Sequence, residues 1–168
     1  MWLAQPTKIV KGWKNCCIIA NPLAKGIIAC MENIYKIAYF HLQQPCVTIN
    51  ETGVEGSHLK SATRPLSLIS LSARQEVDSA EEIGLCYPRF KADITLDCEW
   101  MPPKGARLTC GAVTIRILPE DKSCYPECIL IQEGLPCPLI DGVRYASVEA
   151  GGTLCQGDQL IPEQEGNG

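Results

Sequence analysis

The segment Arg107-Leu108-Thr109-Cys110-Gly111-Ala112-Val113-Thr114-Ile115-Arg116-Ile117-Leu118 reads as a β-hairpin and decides the fold class. Val113, Ile115 and Ile117 recur at period two and share one face of a strand, while Thr114 and Arg116 take the other. Gly111-Ala112 supplies the two-residue turn between the arms. The same signal recurs to either side. Gly26 to Met31, Tyr35 to Phe40, Cys46 to Ile49 and Leu66 to Ser70 read as upstream strands, and Gly142 to Val148 and Leu160-Ile161 as downstream ones. Asn50 to His58 and Gly151-Gly152 read as turns. One helix is expected after Leu71, with Ser72 and Gln75 as a capping box, Glu76, Glu81 and Glu82 on a solvated face, and Gly84 as its stop. Many short strands with few helices predict a mainly β domain, most simply a barrel or folded sheet.

Composition agrees with one ordinary globular domain. The chain has 168 residues, 46% hydrophobic and 20% charged. That length buries a sizeable core without covalent staples. With 15 Lys and Arg against 19 Asp and Glu, the formal net charge is −4, which argues against a nucleic-acid binder that works by neutralising phosphates. No apolar run reaches the ~18 residues needed to span a bilayer, so no membrane association is expected. The start, Met1-Trp2-Leu3-Ala4-Gln5-Pro6, lacks the basic-then-apolar order of a secretory signal.

Eleven cysteines are the anomaly: 16, 17, 30, 46, 86, 98, 110, 124, 128, 137 and 155. The expectation is a cytoplasmic chain with reduced thiols, most of them small buried hydrophobes, Cys98, Cys110 and Cys155 among them. Cys124, Cys128 and Cys137 differ. They sit in a Pro- and Gly-rich loop, Lys122-Ser123-Cys124-Tyr125-Pro126-Glu127-Cys128 continuing to Leu135-Pro136-Cys137-Pro138, with C-x3-C-x8-C spacing. This is not a paired zinc knuckle, and no histidine is near, but three thiols can still hold zinc or iron as a structural module. Alternatively, the Lys122 ammonium lowers a neighbouring thiol's pKa and makes a nucleophile or soft-metal ligand.

Several tetrapeptides occur in a familiar order: Gly53-Val54-Glu55-Gly56, Arg64-Pro65-Leu66-Ser67, Phe90-Lys91-Ala92-Asp93-Ile94-Thr95, Pro103-Lys104-Gly105-Ala106, Lys122-Ser123-Cys124 and Gly142-Val143-Arg144-Tyr145. Together they resemble the MOSC domain, the molybdenum-cofactor sulfurase C-terminal domain, in its small stand-alone bacterial form. The resemblance covers residues 26–162. It leaves 1–25 as an extension of unknown structure and 163–168 as a loose tail.

The resemblance implies a β-barrel that handles the molybdenum cofactor (molybdopterin), or sulfur destined for it. It marks Cys124 as the thiolate that accepts sulfur or ligates molybdenum. Cys128 or Cys137 would then be a resolving thiol. Lys122, Arg64 and Arg144 are candidate phosphate donors, and for the two arginines a solvent-facing role stands level. Asp93 and His58 fall on the pocket wall of the family. Asp93 stands where the family has Asn, Ala92 where it has Glu, and Ser57 where it has Asp; His58 comes one position early, and by residue type reads more readily as a loop histidine. The pyridoxal-phosphate sulfurase domain of larger family members has no counterpart in this sequence, so a separate sulfur-donor protein is implied. A second implied activity is molybdenum-dependent reduction of N-hydroxylated compounds, which would need an electron-donor protein.

Overall fold

A computed structural model of the chain describes residues 34–59, 61–80 and 84–163. The strand expected at Gly26 to Met31 and the cysteines at 16, 17 and 30 lie outside the described residues. Among the described residues ten strands and three helices follow in order. The strands are β1 (Tyr35–Phe40), β2 (Cys46–Asn50), β3 (Gly53–Val54), β4 (Leu66–Ser70), β5 (Ile94–Asp97), β6 (Arg107–Cys110), β7 (Val113–Ile117), β8 (Val143–Ala150), β9 (Gly152–Cys155) and β10 (Gln159–Pro162). Helix α1 (Leu71–Ser79) joins β4 to the crossover segment, while α2 (Ile129–Gln132) and α3 (Pro138–Asp141) are single turns between β7 and β8.

Seven strands close a barrel in the order β1-β10-β6-β7-β8-β4-β5, and β3-β2-β9 form a small sheet beside it. The mainly β expectation holds. The β6–β7 hairpin pairs Cys110 with Val113 across Gly111-Ala112, and Gly111 takes a left-handed φ of 57° that a side chain would strain. Val113, Ile115 and Ile117 enter the barrel core with Ile37, Phe40 and Leu96. Each such burial contributes about 1.5–3 kcal/mol. Among the described residues β4–β5 is the one parallel pairing, so the chain must leave the barrel after β4 and return over its outside.

That excursion explains a second core. Every residue of β4 is buried. Leu66 and Leu68 face the barrel, whereas Ile69 packs outward against Ala73 and Val77 of α1, Tyr87, Leu130 of α2 and Leu139 of α3. Gly142 lets the helices meet the barrel: a Cβ there would lie 2.3 Å from the Ala73 Cβ.

Three local expectations need correction. The cap of α1 is Ser70, whose Oγ accepts the Ala73 amide proton at 3.2 Å, because β4 runs straight into the helix and its last residue takes the role assigned to Ser72. The helix ends at Ser79, well before Gly84. The reading of uniformly reduced thiols fails at Cys46 and Cys155, which oppose each other in β2 and β9 and form a disulfide. They are 109 residues apart, so only the strand register reveals the pair.

Candidate functional site

The two excursions from the barrel, 71–93 and 118–142, meet over the outer face of β4 and β8. Between them lies a cavity of about 520 Å³. Residue 122 is its chemical centre. Lys122 is only 9% exposed, and a buried ammonium must find partners. Its Nζ donates to Cys86 Sγ at 3.1 Å and to the Ser123 carbonyl at 3.3 Å, and lies 5.8 Å from the Phe90 ring centroid. Burial, the largest influence, pulls this ammonium down. The bonded Cys86 sulfur, with Cys124 and Tyr145 nearby, outweighs it, so the pKa stands above the ordinary lysine value.

Arg64 covers a second side of the cavity, its Cζ 4.6 Å from the Tyr145 ring centroid, a stacked cation–π contact. Arg89 completes the set. Among the described residues three cations and no carboxylate line this space, in a chain that is net acidic. None of the three forms an ion pair with a carboxylate among the described residues.

Cys124 lines the cavity. Its thiol is not the one Lys122 holds. Burial pushes Cys124 up, Lys122 opposes this, and Cys137, Cys86 and Cys128 add to the rise, leaving the thiol above its ordinary pKa. The thiol that Lys122 contacts directly is therefore Cys86, not one of the 124–137 loop.

The other two loop thiols turn away. Cys128 is buried in the outer core, where its sulfur accepts the Leu85 amide proton at 3.5 Å, and that bond above all holds the thiol below its ordinary value. Cys137 packs against the same core beside Tyr87, whose hydroxyl is pushed to about 12 by burial and then by Cys137. Neither lines the cavity. Among the described residues no three His, Cys, Asp or Glu side chains are placed to hold a metal ion, so the zinc or iron module of Cys124, Cys128 and Cys137 is not built here.

The remaining candidates stand elsewhere. Asp93 is 3% exposed and ties the barrel together: it accepts from Ser57 Oγ at 2.6 Å, Ser67 Oγ at 2.6 Å and the Ser67 amide at 3.0 Å. Ser57 and Asp93 are thus partners in one buried hydrogen bond. Arg144 donates to the carbonyls of Val143 at 2.8 Å, Asp141 at 3.2 Å and Pro102 at 3.3 Å, and does not line the cavity. His58 is exposed in the turn after β3, also off the cavity.

Sequence reasoning missed Cys86 and Arg89. One signal was present: the tripeptide Cys-Tyr-Pro occurs twice, at 86–88 and 124–126, and the cysteine of each copy lines the cavity.

This architecture defines a closed, mainly antiparallel barrel carrying a cation- and thiol-lined pocket on two excursions. No protein-family model and no curated protein matches the sequence. Two solved structures are similar in fold. YiiM from Escherichia coli has a TM-score of 0.53 at 18% identity, covering 79% of this chain and 70% of YiiM. A crystal structure titled only as that of a hypothetical protein has a TM-score of 0.56 at 16% identity, covering 81% of this chain and 70% of its own. The likeness supports a MOSC-like fold. No helix among the described residues is long and apolar enough to cross a membrane.

Proposed function

We propose that the cavity binds a phosphate-bearing ligand of the molybdenum-cofactor type, and that Cys124 is the thiol that accepts sulfur there for delivery to it. The observation that carries this reading is the lining: Arg64, Arg89 and Lys122, with no carboxylate among the described lining residues, together with two thiols. Arginine forks and a lysine point charge suit phosphate oxygens. The Phe90 and Tyr145 rings offer flat apolar faces for a pterin, and thiols suit a soft metal. The volume lies within the roughly 300–1,000 Å³ of small-molecule sites. The residues present therefore fit the group. When bound, it would supply a soft metal centre able to take up sulfur.

This chain's own part is to neutralise the phosphate and to present Cys124 beside it. Cys124 accepts sulfane sulfur as a persulfide, with Lys122 stabilising the negative charge that develops on sulfur. Mobilisation of that sulfur falls to a donor protein.

Metal and pterin analysis of protein made in cofactor-competent cells tests the reading. Molybdenum and pterin should co-purify and be lost from Lys122→Gln and Arg64→Gln. Cys124→Ser should keep the pterin and lose sulfur acceptance. Wild-type protein free of both molybdenum and pterin, or a Cys124→Ser variant with full sulfur acceptance, overturns it.

A further inference from the structure

We propose that Cys86 is the resolving thiol of this pocket, the one that attacks a persulfide on Cys124, with the Lys122 ammonium hydrogen-bonded to the Cys86 sulfur. This deepens the sulfur-carrier reading and rests on it.

Four observations converge. Cys86 and Cys124 line the same cavity. The buried Lys122 Nζ donates directly to Cys86 Sγ at 3.1 Å, and Lys122 stands two residues before Cys124 on the same loop. Cys86 sits in the turn 85–89, half-buried, so its sulfur faces a space that a reactant can enter. The rival thiols do not line the cavity: Cys128 is buried and accepts the Leu85 amide proton, and Cys137 packs against the outer core beside Tyr87. A resolving thiol needs access to the persulfide, and of the described free cysteines outside position 124 only Cys86 both lines the cavity and accepts from the Lys122 ammonium.

The step balances. Cys86 gives its proton to solvent, and its sulfur attacks Cys124 Sγ. The Cys86–Cys124 bond forms as the bond from Cys124 to the outer sulfur breaks. The outer sulfur leaves into the cavity with the electron pair as hydrosulfide, keeping its own proton. Sulfane sulfur is reduced to sulfide, two thiols are oxidised to a disulfide, and a dithiol reductant restores them.

Two measurements on the full chain test this. First, the reduced protein is oxidised with diamide and mapped by peptide mass spectrometry. A Cys86–Cys124 peptide is expected, and its absence, or a Cys124–Cys128 or Cys124–Cys137 peptide in its place, overturns the proposal. Second, the reduced protein is treated with inorganic tetrasulfide. Wild type should release hydrosulfide and accumulate the same disulfide. Cys86→Ser should retain the added sulfur on Cys124 and release hydrosulfide about tenfold more slowly, while Cys137→Ser behaves as wild type. Release by Cys86→Ser at the wild-type rate overturns the resolving role alone. If Cys124 takes no sulfur although diamide joins the pair, the sulfur-carrier reading falls and takes the resolving role with it.

Discussion

Replacing Asp93 by alanine should cost stability and leave the pocket's chemistry intact. Asp93 lies between β4 and the loop after β3, where three donors converge on its carboxylate: two serine hydroxyls and the Ser67 amide. Hydrogen bonds to a charged acceptor contribute about 1.5–3 kcal/mol each, but removing the carboxylate also removes the cost of burying its charge. The hydroxyls of Ser57 and Ser67 can re-aim. The Ser67 amide cannot, and a buried orphan donor costs about 1–3 kcal/mol. With the lost packing, a net loss of about 3 kcal/mol is expected, or roughly 9 °C in Tm for a chain of this size. Asparagine keeps an acceptor for Ser67 while the Ser57 hydroxyl turns to accept, so Asp93→Asn should lose only about half as much. Adding Ser57→Asp to Asp93→Asn restores an acid–amide pair and should recover part of that loss. Urea unfolding followed by circular dichroism measures all three. An Asp93→Ala variant within about 1 kcal/mol of wild type, yet defective in ligand binding, would refute the assignment of Asp93 as a strut and return it to the pocket wall.

Reduction of the Cys46–Cys155 bond, or Cys46→Ser, should lower Tm; closing a 109-residue separation stabilises by up to about 4.7 kcal/mol in the chain-entropy view, and an unchanged Tm under reductant would refute its contribution. Cys98 is pushed to about 11 by burial and the neighbouring Asp97. At pH 8 only about one thiolate in a thousand is then available, so iodoacetamide mapping should find Cys98 essentially unlabelled under conditions that alkylate Cys124, and equal labelling would contradict its burial. The Glu149 carboxylate is held below its ordinary 4.5 by hydrogen bonds from Arg107 and then Arg116. Its contribution is present above the unfolded value and lost as pH falls through the lowered folded value, so Glu149→Gln should flatten the acid limb of the stability profile, modestly and less so in high salt, because the group is exposed.

What could be read from the sequence follows the range of the interactions concerned. The β6–β7 hairpin was legible because alternation and turn lie within twelve residues. Tyr35 to Phe40 and Leu66 to Ser70 were legible for the same reason. Strand β9 was partly read as a turn, since Gly151-Gly152 is the stronger local signal and only pairing with β2 makes 152–155 a strand. The cap of α1 was misplaced by two residues because nothing local says that a strand ends where the helix begins. In the site, Cys124 and Lys122 were legible through a resemblance. Cys86 was not, because its meeting with Lys122 is made by tertiary folding of two separate loops. For Arg144 the sequence leaves phosphate binding and a solvent-facing role level, because an arginine fork binds carbonyls as readily as phosphate; the fold engages it with the Pro102, Asp141 and Val143 carbonyls.

The parallel pairing of β4 with β5 has a consequence for how this scaffold can change. It obliges one segment to travel over the outside of the barrel, and that segment supplies Cys86, Arg89 and Phe90; the β7–β8 connection supplies Lys122, Ser123, Cys124 and Tyr125. Only Arg64 and Tyr145 come from the barrel strands or their immediate flanks. Hydrogen-bond register and ligand chemistry are therefore encoded in different parts of the chain. Grafting a different pair of connectors onto the same seven staves would re-specify the pocket without moving any strand against its neighbour.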